Sequence, residues 1–166
     1  RVVHGETTGF AHTADLSEFG LLAAAEAAAV AARQGKGGVV TVALGAPVSQ
    51  KVNNVVEFPD TVAKSRKVEL LQRANDAARG VDKSIAQVSA GYGDSVRRIL
   101  VANSNGVLAT DQQVRTLFRV SVVASGDAGM QTGYDSMGRT IGFELFEMED
   151  VESLAQGAAR QAVTKL

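Results

Sequence analysis

The sequence predicts an α+β fold, because helical and strand periodicities occupy separate stretches of the chain. Apolar residues recur every third or fourth position in two segments before residue 80, whereas alternation dominates from residue 86 to residue 134. A third helical pattern closes the chain. We therefore expect an N-terminal hairpin and helix, followed by an antiparallel β-meander packed with two further helices.

The first 44 residues are predicted to form the end of an N-terminal subdomain, 1–44. Strand-like runs on either side of a turn at residues 5–8 indicate a hairpin. Asp15 is the expected N-cap of the first helix, since Glu18 follows three residues later as in a capping box. Gly35 is its expected end, and residues 39–44 follow as a strand. The expected apolar face of this helix comprises Leu16, Phe19, Ala23, Ala27 and Val30.

Residues 45–60 are predicted to be a linker, because they hold both prolines of the chain, Pro47 and Pro59. A central α+β subdomain, 61–166, begins after the linker. Its first helix is expected at 61–79 and ends at Gly80. The expected apolar face of this helix comprises Val68, Leu71, Ala74 or Asn75, and Ala78.

The meander is predicted from the alternating segments that follow residue 83. Expected strands are 86–92, 96–102, 107–109, 114–123 and 130–134. Asn105-Gly106 is the strongest hairpin signal, since both residues tolerate the positive φ of a tight turn. The last helix is expected to begin near Asp150 and to cover one face of the sheet. Its expected apolar face comprises Val151, Leu154, Ala158, Ala162 and Leu166.

Composition excludes several classes of protein. The chain has 166 residues and no cysteine, which excludes disulfides and cysteine-bound zinc and favours a cytoplasmic location. A net charge of −1 disfavours nucleic-acid binding, and the basic clusters Lys64/Arg66/Lys67 and Arg97/Arg98 are interpreted as solvated surface. No apolar run is long enough to span a membrane. Because both ends interrupt a strand-like or helical pattern, we expect a fragment of a longer protein.

No complete catalytic or metal site is predicted from the residues. His4 and His12, the only histidines, could hold a metal across the first hairpin with Glu6 nearby, but zinc requires three or four ordered ligands. Ser104 lies in a turn, without the strained elbow that a nucleophilic serine needs. The glycine-rich loop 34–38 follows a helix, the reverse of a phosphate cradle.

Two further features leave alternatives open. Glu144, Glu147, Glu149 and Asp150 could include a catalytic pair, although acidic residues also favour the positive end of the last helix. The edge of the sheet formed by Val114–Val123 could hold an extended peptide through backbone hydrogen bonds, unless other parts of the protein cover it.

The order of several short motifs resembles that of the TldD/PmbA family. The opening stretch, Arg1 to Ser17, is similar to the hairpin-to-helix passage of that family. Later segments fall in the same order; they are Lys67–Leu71, Gln87–Ser89, Val101–Gly106, Gln131–Gly133, Gly142–Glu144, Glu152–Ala155 and Ala158–Ala162. The resemblance covers nearly the whole chain, and its last segments favour a TldD-type subunit over its TldE (PmbA) partner.

The resemblance implies a cytosolic zinc metallopeptidase that cleaves unfolded peptides, matures peptide precursors and degrades some antitoxins. It implies a TldE/PmbA-like partner subunit or self-association, and zinc in the full-length parent. The metal motif of the family, His-Glu-x-x-x-His, belongs to a C-terminal domain that is absent here, so no catalytic or metal residue is assigned and peptide-binding residues stay unknown. The alternatives are a non-catalytic TldE-like partner or binding module and, from an older family label, a modulator of DNA gyrase.

Overall fold

A computed structural model of the chain describes residues 1–33, 43, 45, 54–127 and 129–166. The α+β class is confirmed. The chain divides into two compact units, Arg1–Gly45 with Asn103–Gly106, and Ala46–Ala102 with Val107–Leu166. The predicted stop at Gly35, the loop at 34–38, the strand at 39–44 except residue 43, and residues 46–53 of the linker at 45–60 lie outside the described residues.

The first unit contains a short antiparallel hairpin of β1 (Val2–His4) and β2 (Thr7–Gly9), followed by helix α1 (Glu18–Ala32). The prediction that Asp15 is the N-cap of α1 is wrong. Ser17 caps the helix, and its Oγ accepts the Gly20 N–H at 3.1 Å. Asp15 instead accepts the N–H of Ser17 at 2.9 Å, which fixes the turn that leads into the helix.

The predicted apolar face of α1 is also wrong. Leu16 and Phe19 are 80% and 81% exposed, and the buried residues are Gly20, Ala28 and Ala32. The reason lies in β2, because a Cβ on Gly9 would stand 1.8 Å from the carbonyl oxygen of Ala28. The strand and the helix backbone approach so closely that only small residues fit between them, and the bulky residues therefore lie on the opposite side.

The described part of the second unit contains three α-helices and one sheet. A 3-10 turn at Pro59–Thr61 leads to α2 (Lys64–Arg79), which begins three residues later than predicted. The three long strands are β3 (Ile85–Ala102), β4 (Leu108–Gly126) and β5 (Gly129–Arg139). They are antiparallel in the order β3-β4-β5. The four-residue α3 (Leu145–Met148) and α4 (Val151–Thr164) follow.

The predicted breaks within β3 and β4 are absent, and each strand is continuous. Gly93 and Asp94 interrupt the apolar alternation of the sequence, yet both stay in the ladder opposite Leu117 and Thr116. A glycine weakens a strand without ending it when a neighbouring strand pairs with it. The predicted turn at residues 103–106 is confirmed, with Gly106 at φ 78°.

The core lies between one face of the sheet and the helices α2 and α4. Phe118, Val120 and Val122 of β4 are fully buried there. The predicted start of α4 is confirmed, since the Asp150 carboxylate accepts the N–H groups of Glu152 and Ser153. The predicted apolar faces are correct in part, because the buried residues are Leu70, Ala74 and Ala78 in α2, and Val151, Ala155, Ala158, Ala159 and Ala162 in α4.

Candidate functional site

The outer edge of β5 is closed by side chains. Gln161 Oε1 accepts the N–H of Tyr134 at 3.4 Å, and Lys165 Nζ donates to the carbonyl oxygen of Thr132 at 2.7 Å. The N–H of Ser136 donates to the Asp135 side chain at 2.8 Å. Since these groups are the ones that a further strand would pair with, β5 does not offer a free edge along this stretch.

Strand β4 is the centre of the sheet, so the prediction that Val114–Val123 forms a peptide-binding edge is wrong. Residues 116–126 pair with β5 on one side, and residues 108–124 pair with β3 on the other. Only 108–115 extend beyond the end of β5. There the N–H of Gln112 already donates to the Asp111 side chain at 2.8 Å.

Among the described residues, the outer edge of β3 is the open one. Residues alternate in an antiparallel ladder between pairing with one neighbour and pointing to the other side. Because the N–H of Tyr134 points outward, its partner Ser121 in β4 forms its backbone hydrogen bonds with Ser89 of β3. The odd-numbered residues of β3 therefore pair with β4, and the even-numbered residues point their N–H and C=O groups to the outer edge. From Val88 to Arg98, none of these N–H groups has an acceptor in the described part of the chain.

The face of the sheet that lies opposite the helices is solvent-exposed and basic. A row here is a set of residues that lie opposite one another across the strands. In the rows from Gln87 to Arg97 of β3, the charged residues on this face are Arg97, Arg115 and Arg119, which are all exposed. A cavity of about 520 Å³ lies beside them, lined in part by Gly93, Arg115 and Leu117. The sequence patterns did not predict this face, although the alternation of β4 places two of the three arginines on one side.

An ion pair and a cation–π contact hold α2 against β3. Lys67 Nζ lies 2.9 Å from Asp94 and 5.0 Å from the centroid of the Tyr92 ring. Burial is the largest single influence on the pKa of Asp94 and would raise it, but Lys67 and Tyr92 together outweigh burial and the pKa is lowered. Burial also raises the pKa of Tyr92, so its hydroxyl stays protonated at neutral pH.

The carboxylate of Glu144 binds three backbone N–H groups rather than a helix end. It accepts from Val56 at 3.2 Å, from Glu57 at 3.0 Å and from Gly142 at 3.0 Å. Burial by itself would raise its pKa, but the backbone donors outweigh burial and the pKa is lowered. The residue is 8% exposed, so the structure assigns it to holding two chain segments together.

Comparison with known proteins identifies the family. The family model described as the PmbA/TldA metallopeptidase central domain matches residues 57–166. The chain belongs to the PmbA/TldA metallopeptidase family. A Methanothermobacter thermautotrophicus protein named Metalloprotease is 32% identical to it over 167 residues, which cover 100% of this chain and 36% of that protein. The resemblance to the TldD/PmbA family is therefore confirmed.

Other relatives agree with this assignment. The Metalloprotease TldD homolog of Haemophilus influenzae is 27% identical to this PmbA/TldA chain, covering 100% of it and 36% of that protein. A crystal structure from Thermotoga maritima, described as a candidate modulator of a DNA gyrase, shares the fold with a TM-score of 0.72 and 18% identity. It covers 96% of this chain and 35% of that one. The chain thus spans about a third of the length of these proteins.

The histidines of this PmbA/TldA chain do not form a metal site with their neighbours. His4 pairs with Thr7 in the first hairpin, and His12 follows β2 with its ring 6.1 Å from that of Phe10. Among the described residues, no three histidine, cysteine or acidic side chains meet as metal ligands. These residues therefore do not provide a binding site for the metal ion that the name metalloprotease implies for the relatives.

The other candidate residues lie in a turn, an ion pair and a helix cap. Ser104 lies in the turn between β3 and β4, and Glu149 forms an ion pair with Arg139. Asp150 caps α4, as the helix-dipole interpretation requires, whereas Glu144 does not lie at that helix end. No helix in the described ranges is long and apolar enough to cross a membrane.

Proposed function

We propose that this chain is a non-catalytic part of a zinc metallopeptidase that cleaves unfolded peptides. The single observation that supports it is the match of residues 57–166 to the central domain of the PmbA/TldA metallopeptidases. In this proposal the chain contributes the scaffold and the wall of a peptide path. A different stretch of the parent protein binds the zinc ion, which polarises the peptide carbonyl and activates water when bound. A TldE/PmbA-like subunit or a second copy works with it.

The first test separates the roles of the chain and of the intact protein. The intact protein should hydrolyse an unfolded peptide, lose this activity with EDTA and regain it with Zn²⁺. This 166-residue chain, incubated with the same peptide and Zn²⁺, should show no hydrolysis by mass spectrometry. Metal-dependent turnover by the chain alone, or cleavage by the intact protein that resists the chelator, would contradict the proposal.

We place the peptide contact on the outer edge of β3, the open edge of the sheet. An extended peptide pairs with such an edge through its backbone, which suits substrates of varied sequence. Proline at an outward position removes one N–H donor without breaking the ladder to β4. Ala90 and Arg98 are two such positions, one in the three-stranded part of the sheet and one beyond it.

In the intact protein, Ala90→Pro or Arg98→Pro should lower kcat/KM for an unfolded peptide about tenfold, the equivalent of one backbone hydrogen bond. Ala90→Ser and Arg98→Ala are the matched controls, since both keep the N–H, and each should stay within twofold of wild type. Circular dichroism verifies that the proline variants fold. Folded proline variants with wild-type kcat/KM would exclude the β3 edge.

A further inference from the structure

The basic face of the sheet, defined by Arg97, Arg115 and Arg119, has a single carboxylate at its end, that of Asp111. In the rows between Gln87 and Arg97, the residues that share this face are neutral apart from the three arginines. Asp111 lies opposite Ile99 in the next row, diagonal to Arg97, and its carboxylate accepts the N–H of Gln112 and the side-chain amide of Gln113. A net excess of two positive charges is therefore concentrated on one side of a chain whose net charge is −1.

The three guanidinium groups differ from the ion-paired arginines of this unit and resemble Arg79, Arg98 and Arg160, which among the described residues also lack an ion pair. Arg66, Arg73 and Arg139 each form an ion pair with a glutamate. Within the described ranges, Arg97, Arg115 and Arg119 form none. Exposed guanidinium groups bind carboxylates in a bidentate geometry, and they are favoured where such a group must be recognised.

The spacing of the three arginines fits an extended polypeptide. Arg115 and Arg119 are four residues apart on one strand, or about 13 Å, and Arg97 is diagonal to Arg115 at about 7 Å. Alternate side chains of an extended segment share one face at a spacing of about 7 Å. Carboxylates at alternate positions of a bound segment can therefore reach all three cations.

The floor between the arginines allows a backbone to approach. Gly91 and Gly93 are neighbours on this face, and the side chain of Arg119 lies over Gly91, with Nε 3.0 Å from where a Cβ would stand. At Gly93 a Cβ would meet nothing within 4 Å. The cavity of about 520 Å³ opens at Gly93, beside Arg115 and Leu117.

We infer that this face binds an acidic, extended segment of another polypeptide, with carboxylates at alternate positions on Arg97, Arg115 and Arg119. A nucleic acid fits less well, because the net charge is −1 and Tyr134 is the only aromatic side chain in these rows of the face. The inference is about binding, and it does not depend on peptidase activity or on the β3 edge.

The test is fluorescence anisotropy with the intact protein and a labelled peptide of six Glu-Ser repeats. The triple variant Arg97→Gln/Arg115→Gln/Arg119→Gln should bind it at least tenfold more weakly. Lys64→Gln/Arg79→Gln/Arg160→Gln removes the same charge from the helices and should stay within twofold. Wild-type binding should weaken as NaCl rises from 50 to 500 mM, and a peptide of Gln-Ser repeats should not bind.

A second variant tests the place of binding without a change in charge. Gly93→Val adds a strand-favouring side chain where the protein itself has free space, so the fold should persist while the floor is blocked. It should weaken binding of the Glu-Ser peptide at least fivefold. Wild-type affinity in both this variant and the arginine variant would overturn the inference. Tighter binding of a single-stranded oligonucleotide than of the Glu-Ser peptide would overturn it as well.

Discussion

Gly133→Ala should lower the free energy of unfolding by about 3 kcal/mol, the upper end of the usual cost of overpacking a core. A Cβ on Gly133 of β5 would stand 1.9 Å from the carbonyl oxygen of Ala158 and 2.8 Å from the backbone nitrogen of Ala162. Both contacts are to the backbone of α4, so no side-chain rotation relieves them. The helix must move away from the sheet and lose packing along its buried alanines. Urea denaturation followed by circular dichroism measures the loss.

Gly93→Ala is the matched control for this prediction. Gly93 also lies in a strand of the same sheet, but nothing stands within 4 Å of its added Cβ. Alanine should leave the stability unchanged or raise it by up to about 1 kcal/mol, because glycine loses more backbone freedom on folding. Equal effects of the two substitutions would show that α4 does not require Gly133 for its close approach to the sheet.

The sequence predicted the sheet well because its signals are local. Alternation from Val114 to Val123 and the turn at Asn105-Gly106 depend only on neighbouring residues, and both describe the observed strands. The order of the strands also follows, since short turns between antiparallel strands make them neighbours. The predicted breaks were wrong because pairing with β4 carries β3 through Gly93 and Asp94.

The face of α1 could not be predicted from its periodicity. The helix is rich in alanine on all sides, so the sequence contains a bulky apolar stripe through Phe19 and a small-residue stripe through Ala28. The choice between them depends on Gly9, which lies outside the helix and brings the backbones together. The close approach of the two backbones buries the small-residue stripe, whereas hydrophobicity alone predicts burial of the stripe through Phe19.

The candidate site was predicted less well than the fold, because its features depend on distant pairs. Gln161 and Lys165 close the β5 edge from positions that follow their partners, Tyr134 and Thr132, by 27 and 33 residues. The basic face becomes visible only when the register places Arg97 beside Arg115. Neither relation appears in a local pattern, so the prediction chose the strand with the longest alternation, β4, which is the central strand.

The Glu144 carboxylate offers the second large effect on stability. Glu144→Gln should lower the free energy of unfolding by about 3 kcal/mol, because a buried amide cannot satisfy three N–H donors as a carboxylate does, and hydrogen bonds to charged groups contribute about 1.5–3 kcal/mol each. The contact between the segments should loosen as well, since Phe143 N–H donates to the Glu57 carbonyl oxygen beside it at 2.8 Å. Glu147→Gln, exposed on the adjacent α3, is the control and should change stability by less than about 0.5 kcal/mol.

The pH dependence of the difference between wild type and Glu144→Gln isolates this carboxylate from the others. The pKa of Glu144 is lower in the folded chain than its ordinary value of about 4.3, so the folded state prefers the ionised form. Its contribution is therefore complete above the pKa of the unfolded chain, and it disappears as the pH falls through the lower folded pKa. Urea denaturation from pH 7 to pH 3 should show the two proteins becoming more similar in stability below about pH 4.3. A difference that stays constant across this range would mean that the substitution acts through packing rather than through the charge of the carboxylate.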